Sequence, residues 1–277
     1  MTISKTLTLH NGIDMPRIGY GTFRMKDHDI AYQGVTDALK IGYRHIDTAA
    51  IYDNEEAVGH AIKDAGIARE ELFITTKVWN TDQGYDQTLK AFETSLTKLG
   101  LDYVDLYLVH WPKPTLKETY KAIERLYEEK LVRAPGVSNF HRHHLEDLFT
   151  SCNIKPAVNQ IEVHPSLVQN DLRAYCAEQG IAVTAWAPLG TGIVFTHPVV
   201  KRIAAKYNKT VAQIVLRWQL EVGNIAIPKS ATFERLEQNL NVFDFALTAN
   251  EVAEISALNT NHRTSLNPDD GYVNPNF

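Results

Sequence analysis

The feature that most constrains this chain is a recurring layout: an amphipathic stretch ending in Gly, a short connection, then an apolar run rich in β-formers. LKIG precedes YRHIDTA, KDAG precedes ELFITTKV, TKLG precedes VDLYLVH, AEQG precedes IAVTAWA and LEVG precedes NIAIPKS. Gly42, Gly66, Gly100, Gly180 and Gly223 fall where a helix closes on a left-handed residue. Helices alternating with strands in this way pair the strands in parallel through right-handed crossovers. Eight strands are predicted, ending near Thr22, Asp47, Lys77, His110, Asn139, Gln160, Trp186 and Lys229. Eight βα units without a linker or low-complexity tract fit a closed (β/α)8 TIM barrel of the α/β class, one domain over residues 1–277. An open doubly wound sheet is the runner-up.

Finer features agree. Leu89, Phe92, Leu96 and Leu99 make one apolar helical stripe. Thr115 with Glu118, and Thr248 with Glu251, have capping-box spacing. TLTLHNGIDMPRI reads as a hairpin turning at Asn11-Gly12 and capping the barrel floor, and the segment from Asn261 to Phe277 reads as a loop-like tail. A net charge of −5 and a pI near 6.1 offer no basic face for nucleic acid. No apolar stretch approaches a membrane span, and MTISKTLTLHNG lacks the apolar core and cleavage site of a secretory signal. Cys152 and Cys176 have neither metal-like nor redox spacing, so the expectation is a cytoplasmic protein without disulfides.

In a barrel of this kind chemistry occurs at the carboxyl ends of the strands. Asp47 ends RHID, Lys77 ends FITTK and His110 ends YLVH, with Tyr52 in the loop five residues after Asp47. Singly, Asp47 and Lys77 read equally well as a structural ion pair, and His110 as a satisfied strand-end histidine. Convergence at successive strand ends favours catalysis. A phenol releases its proton near pH 10, and a neighbouring lysine cation favours the phenolate. A carboxylate pairing with that lysine holds its charge in place, and a neutral imidazole orients a carbonyl. Such a set polarises C=O while hydride arrives from elsewhere.

The hydride donor has no Rossmann site, because no G-x-G-x-x-G follows a strand. Ser138, Asn139 and Gln160 offer a hydroxyl and amides for a carboxamide, and Trp186 offers a face for a nicotinamide ring. In APLGTG, Pro188, Leu189, Gly190 and Gly192 can let backbone N–H groups approach a pyrophosphate. Lys229, Ser230 and Arg235, around the start of the next helix, form an anion site suited to a 2′-phosphate. His141, His143 and His144 in HRHH have no nearby cysteine or acidic set to complete a metal site; they read as a solvated helix start, and no metal is expected.

GYRHIDTAAIYDNEEAVG, ITTKVWN, DYVDLYLVHWP, GVSNF, PAVNQIEVHP and IPKS, in this order, resemble the blocks of the aldo-keto reductases over nearly the whole chain. The similarity is greatest to the prokaryotic 2,5-diketo-gluconate and glyoxal reductase group. It implies a tetrad of Asp47, Tyr52 as general acid, Lys77 and His110, and NADPH (NADP+) lying extended across the barrel mouth. It places Thr22 on the cofactor side, Ser138, Asn139 and Gln160 at the carboxamide and Trp186 on the nicotinamide. Leu189 and Gly190 would follow the pyrophosphate, Lys229, Ser230 and Arg235 the 2′-phosphate, and Gln238 and Asn239 the adenine. Phe23, Trp79 and Trp111 would line the substrate cavity. Three departures stand out: Pro135 for the usual aliphatic residue in an interior strand, Thr232 where some bacterial members have arginine, and Gln238 for a common glutamate. The short tail implies an open pocket for small aldehydes, dicarbonyls or keto-sugar acids, and the family expectation is a monomer. Two alternatives compete: a Schiff-base lyase using Lys77, and a non-catalytic nicotinamide-binding sensor.

Overall fold

The structure, a computed structural model, describes residues 3–273. Strands β1 (Thr6–Thr8) and β2 (Asp14–Pro16) pair antiparallel, with Gly12 at φ 84° in the turn between them. The alternating series then runs β3 (Tyr20–Gly21), α1 (His28–Ile41), β4 (His45–Asp47), α2 (Glu55–Ala65), β5 (Phe73–Val78) and α3 (Tyr85–Leu99). It continues with β6 (Val104–Val109), α4 (Leu116–Glu128), β7 (Val132–Ser138), α5 (Arg142–Phe149), β8 (Val158–Glu162) and α6 (Asn170–Glu178). Strand β9 (Ala182–Trp186) is followed by two helices, α7 (Pro198–Tyr207) and α8 (Val211–Glu221), before β10 (Ile225–Ala226) and α9 (Phe233–Leu240). Helices α10 (Ala249–Ser256) and α11 (Pro268–Val273) complete the described chain.

Strands β3 to β10 lie side by side in sequence order, and every neighbouring pair is parallel. A parallel bridge from Ile18 to Ala226 joins the first strand to the last, with Gly19 N–H donating to Ala226 O at 2.9 Å. This closes the barrel; a doubly wound sheet would reverse its strand order partway. Every residue of β5 and β6 is buried, as expected for strands enclosed on both faces. The hairpin covers the floor: Leu9 and Met15 pack with Phe73, Val158 and Ile225, the first residues of β5, β8 and β10.

The five glycines read as helix stops all have left-handed φ, from 62° to 115°. On α3 the buried face is Thr88, Phe92, Ser95 and Leu99, with Leu89 and Leu96 packed at its edges. Three expectations need correction. Thr248 and Glu251 form the capping box, whereas the Thr115 side chain caps nothing. Thr115 lies in a turn closed by Leu116 N–H on Lys113 O, at φ −86° and ψ 12° rather than in extended geometry. The last strand ends at Ala226, short of Lys229, where Pro228 removes a ladder donor. The tail is not all loop, since α11 begins at Pro268 with Asp269 N–H donating to Asn267 Oδ1. Residues 274–277 of that tail lie outside the described residues.

Pro135 sits inside β7, yet its carbonyl still accepts from Ala157 N–H at 2.8 Å. The β7–β8 ladder starts only at Gly136 opposite Val158, so the donor that proline lacks would face backbone lying before β8. The end of β7 is therefore undisturbed.

Candidate active site

Asp47 ends β4, Lys77 lies one residue before the end of β5, and His110 directly follows β6. Tyr52 closes a short 3-10 turn, Ala50–Tyr52, just before α2. Lys77 is wholly buried, and its Nζ donates to Asp47 Oδ1 at 2.6 Å, Thr48 O at 2.8 Å and Tyr52 Oη at 3.4 Å. The Tyr52 ring stands edge-on to His110 at 5.7 Å between centroids. All four predicted groups thus meet at one rim.

Burial alone would lower the pKa of Lys77, but the charge of Asp47 and the phenol of Tyr52 more than offset it and hold the amine as ammonium. That leaves no lone pair for a Schiff base. Burial raises the Tyr52 phenol, and the pull of Lys77 towards phenolate only partly counters it. The expectation that the lysine sets the phenol's acidity is corrected to that extent: the resting phenol keeps its proton. His110 is driven well below its ordinary range, first by burial and then by Lys77, so its imidazole is neutral.

The second half of the barrel forms a network under this site. Ser138 Oγ donates to Gln160 O at 2.9 Å, and Asn139 Nδ2 donates to His110 O at 3.0 Å and to Ser138 Oγ at 3.1 Å. Trp186 Nε1 donates to Asn139 Oδ1 at 2.9 Å, which fixes the half-buried indole plane. Gln160 Nε2 is committed to Asp47 Oδ2 at 2.6 Å, a link that sequence reading did not foresee. Thr22 is buried, with its hydroxyl on Asp47 O at 3.0 Å. Phe23 is 52% exposed, its ring 5.1 Å from that of Tyr52, and the Trp79 ring lies 5.0 Å from His110. Trp111 is only 6% exposed, and its carbonyl accepts from Gln83 Nε2.

Asn54 and Thr48, both missed by sequence reading, hold the loop that carries Tyr52. Asn54 Nδ2 donates to Thr22 O and to Met25 O, both at 3.0 Å, while its Oδ1 accepts from Thr48 Oγ1 at 2.6 Å. Asn54 thereby ties the tyrosine loop to the end of β3. Its only sequence signal is an Asn just before a helix start.

Three features fit an extended dinucleotide. Lys229 and Arg235 are exposed and, among the described residues, paired with no carboxylate, and Ser230 Oγ accepts from Thr232 N–H at the start of α9. The backbone from residue 187 to 192 is left-handed at Ala187, Gly190, Thr191 and Gly192, a concave path suited to anions. At Gly190 a Cβ would stand 3.1 Å from the His164 ring, so only glycine keeps the loop this low. The Gly190 and Gly192 N–H groups donate to Ala187 O and Leu189 O, however. The loop therefore offers close approach rather than those two donors. Pro188 is buried there, and its carbonyl accepts from Gln219 Nε2 at 3.4 Å. Asn239 is buried on the inner face of α9, and Gln238 turns to Glu234 Oε1 at 3.2 Å.

The histidine run is less solvated than expected. His144 is buried, and Asp269 of α11 lies against all three rings. Among the described residues, no helix is long and apolar enough to cross a membrane.

The profile of the Aldo/keto reductase family matches residues 17–260. Glyoxal reductase of Bacillus subtilis (strain 168) is 52% identical over 270 residues, covering 97% of this chain and 98% of the relative. Methylglyoxal reductase DkgA of Yersinia pestis is 46% identical over 276 residues, covering 97% and 98%. The crystal structure of a Bombyx mori aldo-keto reductase in complex with NADP superimposes with a TM-score of 0.92 at 38% identity, covering 98% of each chain.

Proposed function

We propose, from the premise that this chain belongs to the aldo/keto reductase family and is an NADPH-dependent oxidoreductase of carbonyl groups, that Tyr52 is its general acid and that Lys77, Asp47 and His110 set up the proton transfer. The carrying observation is the lysine bridge, 2.6 Å to Asp47 and 3.4 Å to Tyr52. NADPH, when bound, supplies the hydride that reaches the carbonyl carbon. As negative charge builds on the carbonyl oxygen, the Tyr52 O–H transfers its proton there, giving the alcohol and a phenolate. Lys77 stabilises that phenolate across the 3.4 Å contact, and Asp47 keeps Lys77 charged. His110, held neutral, orients the carbonyl without competing to protonate it.

Ser138, Asn139 and Gln160 would hold the carboxamide, Trp186 the nicotinamide face and Thr22 the adjoining edge. Pro188, Leu189 and Gly190 would flank the pyrophosphate, with Lys229, Ser230 and Arg235 on the 2′-phosphate and Gln238 and Asn239 near the adenine. The substrate class is small dicarbonyls and related aldehydes. Glyoxal and methylglyoxal reductase relatives support this, as does a rim of Phe23 and Trp79 beside the acid, with Trp111 behind. We read residues 1–277 as one domain acting as a cytoplasmic monomer, in keeping with two free cysteines.

The test is NADPH oxidation with glyoxals, aromatic aldehydes and keto-sugar acids, repeated with NADH and with Tyr52→Phe. Turnover undiminished in the variant would remove the assigned acid.

A further inference from the structure

The run His141-Arg142-His143-His144 opens α5 just beyond Asn139, and the fold brings to it Asp269, 128 positions after His141. Asp269 Oδ1 lies 3.1 Å from His141 Nδ1, 3.1 Å from His143 Nε2 and 3.4 Å from His144 Nε2. One ligand atom from each of the four residues falls within 4.8 Å of every other. Ligands about 2.0–2.1 Å from a tetrahedral zinc ion stand roughly 3.3–3.4 Å apart, so these spacings approach the edges of a coordination sphere.

The rings are not equivalent. His141 N–H donates to His144 Nδ1 at 3.0 Å, which puts the proton of a neutral His144 on Nε2, facing the carboxylate. His144 is then the donor that orients Asp269, the partner a ligating carboxylate normally has. His143 is exposed, and its Nε2 faces Asp269. Behind His141 Nε2, at 3.0 Å, lies Arg263 Nη2. With no ion bound, Arg263 donates to that nitrogen and the His141 proton sits on Nδ1. Ligation through Nδ1 moves the proton to Nε2 and turns Arg263 aside. Gln169 Oε1 at 3.5 Å and Glu162 Oε2 at 3.9 Å already stand within reach to receive it. Asp147 lines the same pocket with its carboxylate held by Lys117 Nζ at 2.6 Å, which leaves Asp269 as the carboxylate facing the rings at the positive start of α5.

We infer that His141, His143 and Asp269 bind one first-row divalent cation of the zinc and cobalt type, with His144 orienting Asp269, and that the bound ion fastens α11 to the start of α5. Two imidazoles and one carboxylate suit such ions better than calcium or magnesium, which favour all-oxygen shells.

The experiment titrates the untagged full chain with Co2+, followed by its visible absorption, and with Zn2+ against a chromogenic chelator. One ion per chain is expected. His144→Leu removes the donor to Asp269 along with the acceptor for the cap N–H, and should weaken binding about 10-fold; His143→Ala and Asp269→Asn should weaken it further, by roughly 100-fold or more. Arg263→Gln should tighten binding, because glutamine can accept from the His141 Nε2–H. Alanine at both His28 and His60, an exposed pair 3.3 Å apart elsewhere, should change nothing. Absence of stoichiometric binding, binding that survives His143→Ala and Asp269→Asn, or weaker binding in Arg263→Gln would each overturn the assignment.

Discussion

Gln160 reaches across the barrel from β8 to β4 and donates its amide N–H to Asp47 Oδ2 at 2.6 Å. The other carboxylate oxygen holds Lys77, so Asp47 is gripped from both sides while only 2% exposed. Gln160→Leu would leave Oδ2 buried without this partner. The expected loss of stability is about 1–3 kcal/mol, measured by urea unfolding. A lower kcat should accompany it, since the lysine that serves Tyr52 loses a rigid anchor. Unchanged unfolding and unchanged kcat would mean the link is incidental.

Tyr52→Phe removes one oxygen, and the ring keeps its place between Phe23 and His110. General acid catalysis contributes about 10²–10⁴-fold, so kcat should fall by that order while NADPH affinity, read by fluorescence titration, stays near wild type. Because burial raises the phenol's pKa, reduction should hold through neutral pH and decline only on the alkaline side, where the proton is lost. Alcohol oxidation, which needs the phenolate, should rise over the same alkaline range. A reduction rate already falling between neutral and mildly alkaline pH would contradict this.

Lys229 and Arg235 are exposed cations without a carboxylate partner among the described residues. If they hold a 2′-phosphate, replacing either with Ala removes a charge-assisted hydrogen bond of about 1.5–3 kcal/mol, roughly 10- to 100-fold in NADPH affinity. NADH lacks that phosphate, so its KM should barely move. Equal losses for both cofactors would relocate the anion site.

The rim that gathers Asp47, Tyr52, Lys77 and His110 was legible because helix-stopping glycines fix the phase of the strands. Once Gly42 and Gly66 end their helices, Asp47 and Lys77 fall at adjacent strand ends. The α11 helix was written in Asn267-Pro268-Asp269-Asp270, a cap, a first-turn proline and an acidic start, and a polar composition concealed it. Asn54 was not legible, since its partners are the carbonyls of Thr22 and Met25, which no local pattern brings near. The same holds for Gln160 on Asp47 and for Asp269 against the histidines, where the separations are 113 and 128 positions. Periodicity reports which face is buried, and it is silent on which distant side chain a buried polar group meets.

His45 supplies a test of stability rather than activity. It is wholly buried in β4, its ring edge-on to Phe73 at 5.2 Å and its Nε2 3.3 Å from Thr75 Oγ1. Burial pushes its pKa down to about 4, against about 6.5 in the unfolded chain. Between those values the unfolded state binds the proton and the folded state does not, so unfolding gains as pH falls. The stabilisation is complete above about pH 6.5 and is lost progressively towards pH 4, about 3 kcal/mol in all. His45→Gln should flatten the dependence of unfolding free energy on pH across that window by about one proton, whatever the variant's stability at pH 7. Parallel curves for the two proteins would show that His45 takes up its proton without unfolding the barrel.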